Sequence, residues 1–418
     1  MDYSRIARKL RERIAGFSGE LSKGLPKTSV RFIREMIYGI QASQSVVLTK
    51  IGRTLEEQVS IKKVEERLSR QLFRMGLGQR LQENLLNLAS GLVGRDTLLI
   101  LDTSDIRKKY ARKMQYLGHV HDGSEDEIGS GYWTCNVVAT EVEGSGIVPL
   151  VGRLYSAEAP GFVSENRELL TVMEIVAGAV RKRGIWVIDR GGDRRKLIEP
   201  MLKRQYRFLI RLIGNRYLVW SGKEVIASDL AKDCPMLYYE TIVKVDDGKE
   251  KVYHLEFGYR NVKLPGMEEA LGLLVVKGFG KEPMLLLTTE PLRKSRKALW
   301  RLIRAYIRRW AIEETIRYIK QSYELEDVRV LNYQSLCNIM PMVWAAAYFA
   351  AVLLDTKSKL KVMAGYLLKA AKRVFGIPEF HYYCIADGLT SIFMRYPGQI
   401  AQLLPQNSSQ ALLFTSSA

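Results

Sequence analysis

The sequence predicts an α/β protein with a β-rich insertion and helical regions at both ends. Three observations carry this reading. Residues 95–213 alternate apolar strand-like runs with helix-like stretches. Residues 214–290 hold short β-branched and aromatic runs with no long helical period. Residues before 94 and after 334 space their apolar positions three and four apart, as amphipathic helices do. The expected segments are 1–93 (helical), 94–213 (first part of the core), 214–290 (insertion), 291–334 (a return to the core through a helix) and 335–418 (helical).

In chain order, RFIREMIYGIQASQSVVLTKI and SIKKVEERLSRQLFRMGL read as helices, punctuated by Gly24, Pro26 and Gly52. The second would expose Lys62, Lys63, Arg67 and Arg70, either as a DNA-recognition helix or as the solvated face of a bundle. Strands are expected at 97–101, 132–141, 147–153, 185–188 and 207–213, with a hairpin turning at Glu143–Gly146. Helices are expected near 163–182 and 193–204. The insertion should contain RYLVW, LYYETIVKV, KVYHLEFGYR, LGLLVVKGF and MLLLTTE as strands. One helix is expected over 292–325, and the Ser-rich end QNSSQALLFTSSA should be weakly structured.

The chain has 418 residues and a net charge of +19, an excess that suits a polyanionic partner. Ten Lys or Arg and only two Glu lie between Arg293 and Lys320, so the excess is concentrated there. Cys135, Cys234, Cys337 and Cys384 are scattered and form no CxxC, which argues against a zinc site or a disulfide framework. Scattered thiols and the charged start MDYSRIARKLRER point to the cytoplasm, among nucleoid DNA, with no membrane attachment. The uncharged run 335–354 contains Pro341 and is read as a buried helix.

Two acids stand at the expected ends of strands. TLLILD ends in Asp102, and GIWVID ends in Asp189, followed at once by RGGDRRK. Such positions are frequent active-site positions in α/β sheets. A third acid lies in AYIRRWAIEETIRYIK. There Tyr306, Arg309, Glu313 and Lys320 occur at offsets 0, 3, 7 and 14. On one continuous helix these fall within roughly 60° of one another, whereas Glu314 lies off the stripe. Two strand acids and one helix acid can hold two divalent cations for in-line phosphoryl transfer.

These motifs resemble the DDE transposases of bacterial insertion sequences, in the branch with a Tyr–Arg–Glu–Lys signature. Tyr306, Arg309, Glu313 and Lys320 match that signature without a gap, and Asp102 and Asp189 match the first two acids. The resemblance covers about residues 95–330. It implies an RNase H-like core with a β-rich insertion before the third acid. It also implies two Mg²⁺ or Mn²⁺ ions held by Asp102, Asp189 and Glu313. Cleavage would occur at terminal inverted repeats, followed by strand transfer to target DNA, with the freed 3′-hydroxyl attacking either the opposite strand, giving a hairpin, or the target. A homodimer in the DNA complex is implied too. Tyr306, Arg309 and Lys320 would contact DNA phosphates. A nuclease without strand transfer, or a domesticated DNA-binding protein, are the alternatives.

Several other residues have two readings. Arg190, beside the second acid, is taken as a phosphate contact, with a plain surface Arg as the alternative. Asp105 competes with Asp102 but is placed beyond the strand, and Asp193 is placed at the start of the next helix. RKKYARK (107–113) is a basic loop, for strand binding or simple solvation. His119 and His121 fall in a Gly-rich loop and are not expected to bind hard cations. Trp300 and Trp310 are expected to pack in the core.

Overall fold

The computed structural model describes residues 2–122, 127–144, 146–246, 249–367, 382–400 and 403. The Ser-rich end therefore lies outside the described residues. The N-terminal helices are α1 (Tyr3–Leu21), α2 (Lys27–Ser43), α3 (Leu48–Thr54), α4 (Ile61–Leu72) and α5 (Leu77–Ala89). Then come β1 (Leu98–Arg107), β2 (Gly118–Asp122), β3 (Glu127–Thr140), β4 (Ile147–Tyr155), α6 (Glu165–Ala179), β5 (Ile185–Ile188), α7 (Arg195–Lys203) and β6 (Phe208–Arg211). The insertion supplies β7 (Tyr217–Trp220), β8 (Lys223–Ile226), α8 (Ala227–Lys232), β9 (Tyr238–Asp246), β10 (Lys249–Val262), β11 (Leu271–Lys277) and β12 (Met284–Thr288). Last are α9 (Arg296–Ile307), α10 (Trp310–Ser322), α11 (Tyr333–Tyr348), α12 (Thr356–Leu367) and α13 (Tyr382–Arg395).

The fold is mixed α/β: one large mixed sheet with helices against it. Among the described residues ten strands form that sheet, in the order β2-β3-β1-β5-β6-β12-β11-β10-β9, with β4 also paired along β3. β1 runs antiparallel to β3 and parallel to β5, and β5 runs parallel to β6. Leu98–Leu101 and Ile185–Ile188 are wholly buried, because strands in the middle of a covered sheet lose both faces to the core. Local signals start the helices. Ser164, Ser295 and Asn332 cap α6, α9 and α11 by accepting from the backbone N–H three residues on.

Several expectations are corrected. The core sheet runs on into the insertion, because β12 pairs antiparallel with β6. Period-two patterns mark strands but do not name their neighbours, so this pairing was hidden. The β7–β8 hairpin and helix α8 also lie within the insertion. His119 and His121 lie on strand β2, paired with β3, rather than in a loop. β1 continues past Asp102 to Arg107, so that Asp105 lies within the strand.

The helical ends share one hydrophobic core with the sheet. Helix α11 and the π-helical turn after it, Tyr333–Leu353, are long and apolar enough to cross a membrane, but 78% of the most apolar window is buried inside the fold. It packs closely on β4. A Cβ at Gly152 would stand 1.7 Å from Trp344 Nε1, so only glycine allows this approach. From the other side, buried Asn338 of α11 accepts from Gly78 N (2.9 Å) and donates to Leu72 O (2.7 Å) and Arg74 O (2.9 Å). Gln41 of α2 donates to Ala346 O at 2.7 Å. The described helices of segments 1–93 and 335–418 thus pack as one helical layer.

On α4, Lys62, Lys63 and Arg70 are exposed, but Arg67 is not part of that face. It turns inward onto Glu57 and the wholly buried Glu35, which Arg31 also holds. A buried carboxylate must be paired, and this one claims Arg67.

Candidate active site

Parallel register builds the site. The pairing of β1 with β5 ends at Leu101 opposite Ile188. The next residues are Asp102 and Asp189, so the two acids emerge side by side where the strands part. Neighbouring strands lie about 4.8 Å apart, which sets the scale of their separation. Asp189 also caps the short 3₁₀ turn Arg190–Gly192, accepting from Gly191 N at 2.8 Å. Asp102 continues along β1 and accepts from Thr103 N at 3.0 Å.

Glu313 comes from α10, and here the helix expectation is corrected. Two helices, not one, cover 292–325, with a turn at Arg308–Arg309 between α9 and α10. The backbone there stays right-handed: Arg309 N bonds to Tyr306 O and Ile312 N to Arg309 O, i to i−3 bonds that tighten the coil. Tyr306 therefore lies in the last turn of α9, Arg309 lies in the turn between the helices, and Glu313 and Lys320 lie on α10.

Arg309 is the centre of the arrangement. Its guanidinium lies 2.6 Å from Glu313 Oε1 and 3.7 Å from Asp102 Oδ2, with the side chain 10% exposed. It stands 5.8 Å from the ring centre of buried Tyr306. Its buried Nε donates to no acceptor. Burial lowers the Arg309 pKa, but Glu313, Tyr306 and Asp102 more than offset that and raise it. Lys320 Nζ is 3.1 Å from Asp105 Oδ1 and 3.1 Å from Glu326 Oε1. Arg190 is exposed next to Asp189, whereas Glu314 turns away to Arg317 at 2.8 Å.

Burial and then the charge of Asp189 push the Asp102 carboxyl up to about 7; Arg309 opposes the rise and Glu313 adds to it. Asp102 thus feels both other acids, with its side chain 17% exposed and that of Glu313 43% exposed. Hard carboxylate oxygens in mutual repulsion suit a divalent cation. Yet the described residues contain no group of three His, Cys, Asp or Glu gathered tightly enough to hold a metal ion, and Arg309 contacts both Asp102 and Glu313.

Other candidates are used in building the fold. Asp193 is buried, holding Ile213 N at 2.8 Å and the Arg216 guanidinium. In the basic segment, Arg107 pairs with Glu127, and Lys108 donates to Glu326 O and Val328 O. Trp300 packs on Phe257, while Trp310 is half exposed rather than in the core. The role of Arg309 as a bridge between acids was not legible, because spacing reveals a shared face but not the partner across it.

Fold and site together define an α/β protein with two acids side by side where two parallel strands part and a buried arginine linking one of them to a helix acid. No family model matches the chain, and no curated protein matches it. Among solved structures it is similar to a piggyBac transposase in a synaptic complex with hairpin DNA, with a TM-score of 0.45 and 11% identity over 95% of this chain and 83% of that one. At that score the likeness carries no argument about function.

Proposed function

We propose that the protein is a DNA transposase of the DDE type, cutting DNA at the ends of a mobile element and joining the freed end to a new site. The observation that carries this reading is the pair Asp102 and Asp189 at the parting of β1 and β5, with Glu313 of α10 linked to Asp102 through Arg309. The order β4-β3-β1-β5-β6, three antiparallel strands followed by two parallel ones, supports an RNase H-like core. The net charge of +19 supports DNA as partner.

Asp102, Asp189 and Glu313 would hold two Mg²⁺ or Mn²⁺ ions, which supply activation of the attacking oxygen and charge stabilisation at the leaving oxygen. The chain's own residues do the rest. β1 and β5 fix two of the acids rigidly, while α10 carries the third on a more exposed side chain. Arg190, exposed beside Asp189, would contact a phosphate. Lys320 holds α10 to β1 through Asp105 and keeps a cation near the bound strand. A homodimer would bring two ends together.

The test is to incubate the purified protein with Mg²⁺ and DNA duplexes carrying the sequences that flank its gene, then map products on denaturing gels. Nicks at defined ends followed by hairpins or joined products support transposition. Nicks without joining identify a nuclease. DNA binding without cleavage in Mg²⁺ or Mn²⁺ identifies a DNA-binding protein.

A further inference from the structure

Arg309 stands between two of the acids that would hold a cation. Its two terminal nitrogens reach Glu313 of α10 and Asp102 of β1, and its Nε has no acceptor although it is buried. A guanidinium in its best setting satisfies its donors; this one is held by charge and leaves a donor unused. The pair with Glu313 is also open to solvent on the acid's side, since Glu313 is 43% exposed. One side-chain charge thereby offsets part of the acids' negative charge in place of an ion.

We infer that Arg309 is a built-in counter-ion that blocks divalent-cation binding until a nucleic-acid phosphate draws its guanidinium away. The inference rests on the proposed function and adds a coupling between its two ligands. A phosphate oxygen is a better bidentate partner for arginine than two separated carboxylates. Once Arg309 turns to the phosphate, Asp102, Asp189 and Glu313 repel one another without compensation, and a divalent cation binds there more tightly. Linkage makes the effect reciprocal: the metal must tighten phosphate binding by the same factor. The protein alone would then hold metal weakly and be spared idle hydrolysis.

The experiment measures Mn²⁺ binding by electron paramagnetic resonance, not activity. Wild type, Arg309→Gln, Arg309→Lys and Asp102→Asn are each titrated with Mn²⁺, alone and with a short DNA duplex. Binding lost in Asp102→Asn defines the site and subtracts ions held by the DNA. The expected result is weak site binding by wild type alone, tightened about tenfold or more by duplex. Arg309→Gln should bind tightly without duplex and gain little from it, and Arg309→Lys should stay close to wild type. If Arg309→Gln does not fold, the wild-type comparison with and without duplex decides alone. Asp102-dependent binding that duplex does not change, or that Arg309→Gln does not tighten, overturns the inference and leaves the proposed function standing. No Asp102-dependent binding in any form, with or without duplex, overturns both.

Discussion

Asp102 and Asp189 are neighbours across two parallel strands, each the first residue beyond the last paired positions, Leu101 and Ile188. Their proximity is fixed by sheet register and not by a flexible loop. Glu313 alone arrives from a helix, and Arg309 connects it to the sheet.

The first prediction concerns the acids. Asp102→Ala, Asp189→Ala and Glu313→Ala should each lower DNA cleavage by about 10³-fold or more, the loss of several kcal/mol of charge stabilisation. Duplex binding should stay near the wild-type level. Glu314→Ala should cut almost normally, because that carboxylate turns to Arg317. Gel-mapped cleavage rates check this, and full-rate cutting by any of the first three variants would remove its residue from the site.

Stability should depend on pH through Asp102. Its carboxyl is raised to about 7 in the folded chain, against roughly 3.9 when unfolded. Between these values the folded state holds the extra proton, so stability falls as pH rises from about 4 to about 7. Asp102→Asn removes this loss. The variant should melt above wild type at pH 8, and the difference should shrink towards pH 4. Calorimetric scans that show no convergence at low pH would contradict the raised carboxyl.

DNA binding should respond steeply to salt. Neutralising six to ten phosphates would lower affinity by about 10³ to 10⁵ between 50 and 200 mM salt. Fluorescence anisotropy with a duplex across that range measures it; a flat response would count against the basic surface as the DNA contact.

The shared helical layer predicts that residues 1–93 cannot be removed cleanly. Their loss uncovers the apolar faces of α11 and leaves the Asn338 side chain without Gly78, Leu72 and Arg74 as partners. The truncated chain should aggregate. Asn338→Ala in the full chain should cost about 3 kcal/mol, because buried backbone groups lose their partner. Urea unfolding checks the value, and a soluble, cooperatively folding truncation would refute the layer.

Much of the sheet was legible in the sequence. Leu98–Leu101 and Ile185–Ile188 form unbroken apolar runs because both faces are covered, and each run is followed by its acid. Pairing was less legible. Nothing in Met284–Thr288 or Phe208–Arg211 says that the two strands meet. The turn at Arg308–Arg309 carries no glycine or proline, so the helix pattern ran straight through it. Arg67 was misplaced for a related reason: its exposure depends on a buried acid, Glu35, that lies a helix away.

The union of β6 with β12 makes a ruler of the molecule. Five inter-strand steps separate β5 from the outer strand β9. At about 4.8 Å per step the edge stands roughly 24 Å from the acid that follows β5. A hinged lobe could vary that span, whereas a hydrogen-bonded sheet holds it. A duplex rises about 3.4 Å per base pair, so a contact at β9 with a duplex lying along the sheet would fall about seven base pairs from the scissile bond. The distance between grip and cut would then be written in the number of strands, and deleting a strand pair would shorten it by about three base pairs.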